Sequence, residues 1–268
     1  MRNVGIIGAG QIGSAITRVL AESGRWSMMA SRRKVYELED LKKLGVRVTS
    51  DNREVASHSD IIILAVKPYK AVKVLEEVAD LLEGKIVISV AAAVPIRKLK
   101  AAAPRAKIVR AMPNVAVMVK ASFTAYAKEP GLSSKDEAVV VELLKEMGAT
   151  QEVDEELMDA VTALSGSGPA YIATLIEAMA YAGLKVGLPR DFAYLSSAYT
   201  VYGTAKLYLE SGKHPATIKE MVLTPAGTTI EGIFYLEESG IRTAIMKAVE
   251  AATKRAREIA SKLNSDVV

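Results

Sequence analysis

No cysteine occurs in the 268 residues, which removes disulfides, thiolate nucleophiles and thiolate metal sites together. Histidine is nearly as scarce. His58 and His214 are the whole complement and stand far apart in sequence, so no metal site is expected. A strong charge excess is also missing: 35 basic against 31 acidic side chains leave +4, and no basic run exceeds Arg32-Arg33-Lys34. That excess is too small to imply nucleic acid. The longest uncharged run, residues 160–176, contains Gly166, Gly168 and Pro169 and cannot be a continuous membrane span. The chain opens Met-Arg-Asn-Val-Gly and passes at once into a strand pattern, without signal-peptide character. A cytoplasmic soluble protein is therefore expected, with no membrane partner. Its profile, 50% hydrophobic and 25% charged, is that of a globular chain long enough for one large domain or two modest ones.

The first half alternates short β-branched runs with helical ones, which reads as an α/β domain. Val4-Gly5-Ile6-Ile7 has the form of a buried parallel strand and leads into Gly8-Ala9-Gly10-Gln11-Ile12-Gly13. Apolar Ile12, Ala15, Ile16, Val19 and Leu20 then recur at helical spacing. Three glycines alone are a weak signal, but between a strand and a helix they read as a dinucleotide fingerprint. Gly8 permits the tight turn, Gly10 lets the backbone approach a pyrophosphate, and Gly13 lets helix and strand pack closely. The anion then meets free N–H groups at the positive helix terminus. A strand–helix turn without ligand is the alternative. A second strand over residues 27–30 ends at Ser31-Arg32-Arg33, where an NAD-preferring site carries an acid for the ribose 2′-hydroxyl. A hydroxyl and two guanidinium groups stand there instead, and arginine forks suit a phosphate dianion. NADP(H) is expected to be preferred, with NAD(H) as the second cofactor.

Further strands are expected at residues 47–49, 61–66, 86–90, 108–112, 122–127 and 149–153, with Asp51 or Asn52 capping one intervening helix and Ser133 another. Strand ends at Gly8, Lys67-Pro68, Ala91-Ala92 and Pro113-Asn114 should gather at the carboxyl edge of the sheet, where doubly wound sheets bind ligands. Small alanines there admit a flat ring, or simply pack strand against helix.

Past Leu164-Ser165-Gly166-Ser167-Gly168-Pro169-Ala170-Tyr171 no strand pattern recurs. Helices apolar on most faces follow, and burial against a second subunit is the economical way to cover them. Ser165 and Ser167 either touch ligand or cap the helix begun at Pro169. Thr224-Pro225-Ala226-Gly227-Thr228-Thr229 makes a donor-rich nest for a small anion such as a carboxylate. Alternatively Thr228 or Thr229 is the N-cap of the next helix. Alcohol oxidation needs a base, usually His or Lys, and neither histidine lies in these loops. A protonated C=N already carries positive charge and accepts hydride with positioning and a hydroxyl donor. Imine reduction fits better.

These motifs, with Ala65-Val66-Lys67-Pro68, Arg110-Ala111-Met112-Pro113-Asn114 and the run Val161-Thr162-Ala163-Leu164-Ser165-Gly166-Ser167-Gly168-Pro169-Ala170-Tyr171, resemble the Δ1-pyrroline-5-carboxylate reductase family over essentially the whole chain. The resemblance implies NAD(P)H-dependent reduction of 1-pyrroline-5-carboxylate to L-proline, the last step of proline synthesis. It implies that Ile7, Gly8, Ala9, Gly10, Gln11 and Ile12 hold the pyrophosphate. Ser31, Arg32 and Arg33 with Asn52 would take the adenosine ribose and its 2′-phosphate. Ala65, Val66, Lys67, Pro68, Ala91 and Ala92 would line the nicotinamide half, and Asn114 belongs to the cofactor site too. Thr224, Ala226, Gly227, Thr228 and Thr229 would cradle the substrate carboxylate, with Thr229 the proton-donating or orienting hydroxyl. The implied fold is α/β: an N-terminal Rossmann-like NADP-binding domain over residues 1–153, then an all-helical dimerisation and substrate-binding domain over 154–268. Self-association as a homodimer, or as a decamer built from dimers, follows from the same resemblance. Departures from the family pattern are Asn114-Val115-Ala116 for Asn-Thr-Pro, Tyr199-Thr200 for Gln-Thr, and Thr224-Pro225-Ala226-Gly227 for Ser-Pro-Gly-Gly. Reduction of another cyclic imine and a non-catalytic NADP-binding oligomer are the alternatives.

Overall fold

Eight strands form one sheet in the computed structural model, which describes residues 2–265. The strands are β1 (Arg2–Ile7), β2 (Trp26–Ser31), β3 (Arg47–Thr49), β4 (Ile61–Leu64), β5 (Ile86–Ser89), β6 (Lys107–Met112), β7 (Ser122–Lys128) and β8 (Gly148–Glu152). Their order is β3-β2-β1-β4-β5-β6-β7-β8. Neighbours are parallel except β6 and β7, which run antiparallel. The reversal follows Pro113, where a 3-10 turn, Val115–Val119, ends at Lys120 in the left-handed region (φ 56°).

Side-chain alternation divides the β-branched runs between two cores. Val4, Ile6, Ile61, Ile63 and Ile88 face one layer, and Ile7, Ile62, Leu64 and Val87 face the other. This is why β4 reads as an unbroken apolar run: it is covered on both faces. Burying each such side chain stabilises the fold by roughly 1.5–3 kcal/mol. The first layer is closed by α1 (Gln11–Glu22), α2 (Glu39–Lys42) and, later in the chain, Ser134–Lys145. The second is closed by α3 (Asn52–His58), α4 (Pro68–Val78) and α5 (Ile96–Ala102). The Ser134–Lys145 helix is α6, and Ser133 caps it by accepting from the Asp136 N–H. Asp51 caps α3 in the same way, accepting from Arg53 N–H.

After β8 the chain tightens and then loosens within a few residues: a 3-10 turn at Glu155–Leu157, α7 (Met158–Val161), and a π-helical turn at Thr162–Gly166. No strand follows among the described residues. The remaining helices are α8 (Gly168–Lys185), α9 (Arg190–Ser211), α10 (Pro215–Glu220), α11 (Thr228–Glu238) and α12 (Ile241–Ser265). No described helix is long and apolar enough to cross a membrane.

Contacts group the chain into two compact units, Met1–Ser167 with Ala251–Val268, and Gly168–Glu250. The division expected at 153/154 thus falls inside the first unit. The reason lies in three ties. Buried Arg110 on β6 reaches Asp159 at 3.4 Å, Glu155 accepts from Ile96 N–H at 2.6 Å, and Asn114 donates to the Ser165 carbonyl at 3.1 Å. Residues 154–167 are therefore fastened to the sheet. In the second unit, α8 and α9 pack where Gly183 leaves room for Ala193. A Cβ on Gly183 would stand 3.0 Å from the Ala193 Cβ.

Candidate active site

The strand order reverses at β1, which has β2 on one side and β4 on the other. Consecutive connections leave that point in opposite directions, so a crevice opens beyond the carboxyl ends of β1 and β4. Ile7 is in register with Ser31 on β2 and Leu64 on β4, so residues 8–10, 32–33 and 65–68 emerge side by side. Val90 N–H, just past β5, donates to the Leu64 carbonyl at 3.0 Å and brings Ala91 and Ala92 to the same edge.

The three glycines act differently in the turn. Gly8 has φ 97°, and a Cβ there would lie 2.6 Å from a Val66 methyl. A Cβ on Gly13 would lie 2.4 Å from the Gly8 carbonyl oxygen. Both distances are impossible for a real side chain, so these positions fix how closely α1 approaches the end of β4. At Gly10 the nearest atom to a Cβ would be the Gly8 oxygen at 4.0 Å, so this glycine faces open space. Gly10 is also the N-cap of α1, and no side chain caps it. Free N–H groups at a 12-residue helix, beside a backbone left bare, form a cradle that fits a pyrophosphate.

Ser31 and Arg32 tie this turn to its neighbours. Gly8 and Ala9 N–H groups donate to the Ser31 carbonyl at 3.2 and 2.9 Å. Ser31 is buried, and its hydroxyl donates to Asn52 Oδ1 at 2.7 Å. Arg32 Nη1 donates to the Ala9 carbonyl at 3.2 Å, bringing the guanidinium to the rim of the turn. Its Nη2 pairs with Glu37 Oε2, and Lys34 Nζ stands 3.7 Å from Glu37 Oε1. Arg33 is exposed and forms no ion pair among the described residues. No acid stands in the sequence directly at the end of β2. The 3-10 turn Val35–Leu38 folds Glu37 back onto Arg32, and nothing in the spacing announces that return.

Ala91 is buried and Ala92 half-buried, and Ala93 beyond them is buried in the left-handed region (φ 64°). A non-glycine residue held there costs of order 1 kcal/mol, so this corner of the edge is over-determined by its surroundings. Asn114 lies at the end of β6, yet its side chain is committed internally. It accepts from Ala116 N–H at 2.9 Å and donates to the Ser165 carbonyl. Ser165 Oγ donates to the Phe123 carbonyl at 3.2 Å, and Ser167 Oγ to the Thr162 carbonyl at 3.3 Å. Both serines thus close the π turn on itself and on β7.

The Thr224–Thr229 loop lies in the second unit. Gly227 N–H donates to the Thr224 carbonyl at 3.0 Å, with Pro225 and Ala226 between them. Ala226 has φ 55°. Proline at the second corner and a positive φ at the third define a type II turn. A Cβ on Gly227 would sit 2.2 Å from Thr224 Oγ1 and 3.1 Å from the Thr224 carbonyl oxygen, so a side chain there would displace the threonine. The expectation that Thr228 or Thr229 caps α11 is corrected. Gly227 is the N-cap, no side chain bonds there, and both threonines lie in the first turn. The tight turn leaves no room for a capping side chain before residue 228. Like that of α1, this helix terminus has no side-chain cap, and threonine hydroxyls stand in its first turn.

A bare glycine turn at the switch point of a doubly wound sheet defines a Rossmann-type dinucleotide-binding protein. Residues 3–93 match the family model described as NADP oxidoreductase, coenzyme F420-dependent, and residues 155–259 match that for pyrroline-5-carboxylate reductase dimerisation. A pyrroline-5-carboxylate reductase of Methanosarcina acetivorans is 43% identical over 97% of this chain and 99% of its own. The chain belongs to the pyrroline-5-carboxylate reductase family. Among solved structures, a pyrroline-5-carboxylate reductase from Coxiella burnetii is similar at a TM-score of 0.88 and 33% identity, over 96% of this chain and 98% of that one. The Plasmodium falciparum pyrroline carboxylate reductase with NADP bound is similar at 0.86 and 30%, over 97% and 98%.

Proposed function

We propose that this protein reduces the C=N bond of 1-pyrroline-5-carboxylate to give L-proline, using NAD(P)H with NADPH preferred. Family membership over nearly the whole chain carries the reading. Two uncapped helix termini, on α1 and α11, support it by offering N–H groups to two different anions. Ile7, Gly8, Ala9, Gly10, Gln11 and Ile12 receive the pyrophosphate. Ser31, Arg32, Arg33 and Asn52 receive the adenosine ribose and its 2′-phosphate. Ala65, Val66, Lys67, Pro68, Ala91 and Ala92 line the nicotinamide half. Asn114 shapes that wall through its backbone, since its amide is spent on Ala116 and Ser165.

The bound nicotinamide supplies a hydride to the imine carbon. The chain's part is positioning, which is enough for an imine that enters protonated. Thr224, Ala226, Gly227, Thr228 and Thr229 hold the substrate carboxylate on the free N–H groups at the start of α11, where the helix dipole favours negative charge. The Thr229 hydroxyl meets the ring nitrogen and orients the C=N or carries its proton. The protein works as a homodimer, with a decamer built from dimers as the larger assembly. Of residues 168–250 only Ala180, Ala193 and Ser197 are buried, so a partner surface is needed to cover the helices.

The test mixes purified protein, pyrroline-5-carboxylate and NADPH or NADH, and follows the absorbance of the reduced nicotinamide. Turnover with both is expected, faster at limiting NADPH. No turnover with either sinks the reading. Faster reduction of the six-membered homologue would move the substrate assignment while keeping the chemistry.

A further inference from the structure

We propose that Glu37 sets the cofactor selectivity of this enzyme by competing with the 2′-phosphate for Arg32, narrowing the preference for NADPH over NADH. The inference rests on the dinucleotide reading above and names a residue outside the fingerprint. Arg32 spends Nη1 on the Ala9 carbonyl and Nη2 on Glu37, so the donors best placed at the rim of the turn are both in use. Lys34 leans toward the same carboxylate, 3.7 Å from its other oxygen. The pair is half-buried, at 34% and 31% side-chain exposure, and so is screened less than a fully solvated one.

A phosphate dianion arriving on Arg32 has to displace the carboxylate and then remain beside it, like charge against like. A cofactor with a plain 2′-hydroxyl leaves the Arg32–Glu37 pair intact. The carboxylate therefore acts against one cofactor and not the other. Arg33, exposed and without an ion pair among the described residues, is left to draw the phosphate in. The two arginines pull toward NADPH and Glu37 pulls back.

Direct binding separates this from effects on turnover. The probes are adenosine 2′,5′-bisphosphate and ADP, titrated calorimetrically into the full-length wild type, Glu37→Gln, Arg32→Ala and the double variant. Glutamine keeps the size and loses the charge, so the fold of the short turn is kept. Glu37→Gln should raise the ratio of bisphosphate to ADP affinity about two- to fivefold. The gain should vanish in the Arg32→Ala background, since the competition is for that guanidinium. The NADPH-to-NADH ratio of kcat/KM should move in the same direction. An unchanged ratio with both probes binding overturns the proposal alone. A lowered ratio also overturns it, because Glu37 would then be a support that holds Arg32 ready. Binding of neither probe by any variant overturns the dinucleotide reading, and this proposal with it.

Discussion

Ala226 shows how one methyl group bears on the loop proposed to hold the carboxylate. The third corner of a type II turn requires positive φ, which glycine adopts freely and alanine adopts at a cost of about 1 kcal/mol. The family pattern places glycine here, and this chain places alanine at φ 55°. Two opposed effects decide what Ala226→Gly does to stability. Glycine relieves the strain but enlarges the entropy of the unfolded chain by roughly 0.5–1 kcal/mol, so the net change should be small and favourable. The functional effect should be larger. Alanine limits the loop to fewer conformers, so the N–H groups at residues 227–229 are better set for a carboxylate. Ala226→Gly is expected to raise the KM for the imine about two- to threefold, leave kcat nearly unchanged, and move Tm by less than about 2 °C. An unchanged KM would mean that the loop's rigidity does not shape the nest. Gly8 and Gly13 are the opposite case: both their need for glycine and its reason were legible in the spacing. The positive φ at Ala226 was not legible, since proline at the second corner suits type I and type II turns alike.

At the scale of elements, the segment between β8 and α8 holds the clearest difference between sequence and structure. Strands were legible where an apolar run is covered on both faces: β4 and β5 lie within the expected residues. The short, partly exposed β3 also spans the expected residues. Caps at Asp51 and Ser133 were legible because a short polar side chain before a helix has few other uses. Residues 155–166 pass through 3-10, α and π turns, none longer than five residues. A periodicity needs more residues than that to declare itself. The antiparallel entry of β7 was hidden for a different reason: strand direction is set by the Val115–Val119 turn, and composition does not record it. Glu37 was hidden by a 3-10 turn in the same way. Arg110 is the buried member of the three ties that hold residues 154–167: it is 5% exposed at its side chain and lies 3.6 Å from Glu155 and 3.4 Å from Asp159. Its Nε has no partner, so the guanidinium is already incompletely satisfied. Removing it takes the cation from Asp159 and from Glu155, which keeps only its bond from Ile96 N–H. Arg110→Ala should therefore cost about 3 kcal/mol by denaturant unfolding, with the loss seen first as exchange of amides in residues 155–166. A loss under about 1 kcal/mol would show that the tie is redundant.

At the scale of the whole molecule, the chain cannot be complete as one copy. On α9, Phe192, Leu195, Tyr199 and Tyr202 fall at spacings of three and four, and they are 57%, 60%, 66% and 60% exposed. The opposite face of the same helix carries Ala193 and Ser197, buried where α9 meets α8. One face is thus used within the unit and the other presents aromatic and aliphatic surface to water. An apolar stripe of this length is rare on a monomer and marks an interface. Alone, residues 168–250 bury almost nothing, so their folding must draw on a second copy. Stability should then follow mass action: a hundredfold dilution lowers it by about 2.7 kcal/mol, which shifts Tm by several degrees. Leu195→Glu places a charge in the middle of the stripe, and burying it unpaired costs more than the side chain's apolar contacts return. The variant is expected to sediment as a monomer, to lose the concentration dependence of Tm, and to lose at least about tenfold in turnover as the helices of the second unit loosen. A wild-type Tm that ignores dilution, together with a Leu195→Glu variant that sediments like the wild type, would place the interface elsewhere and leave the α9 stripe without a partner.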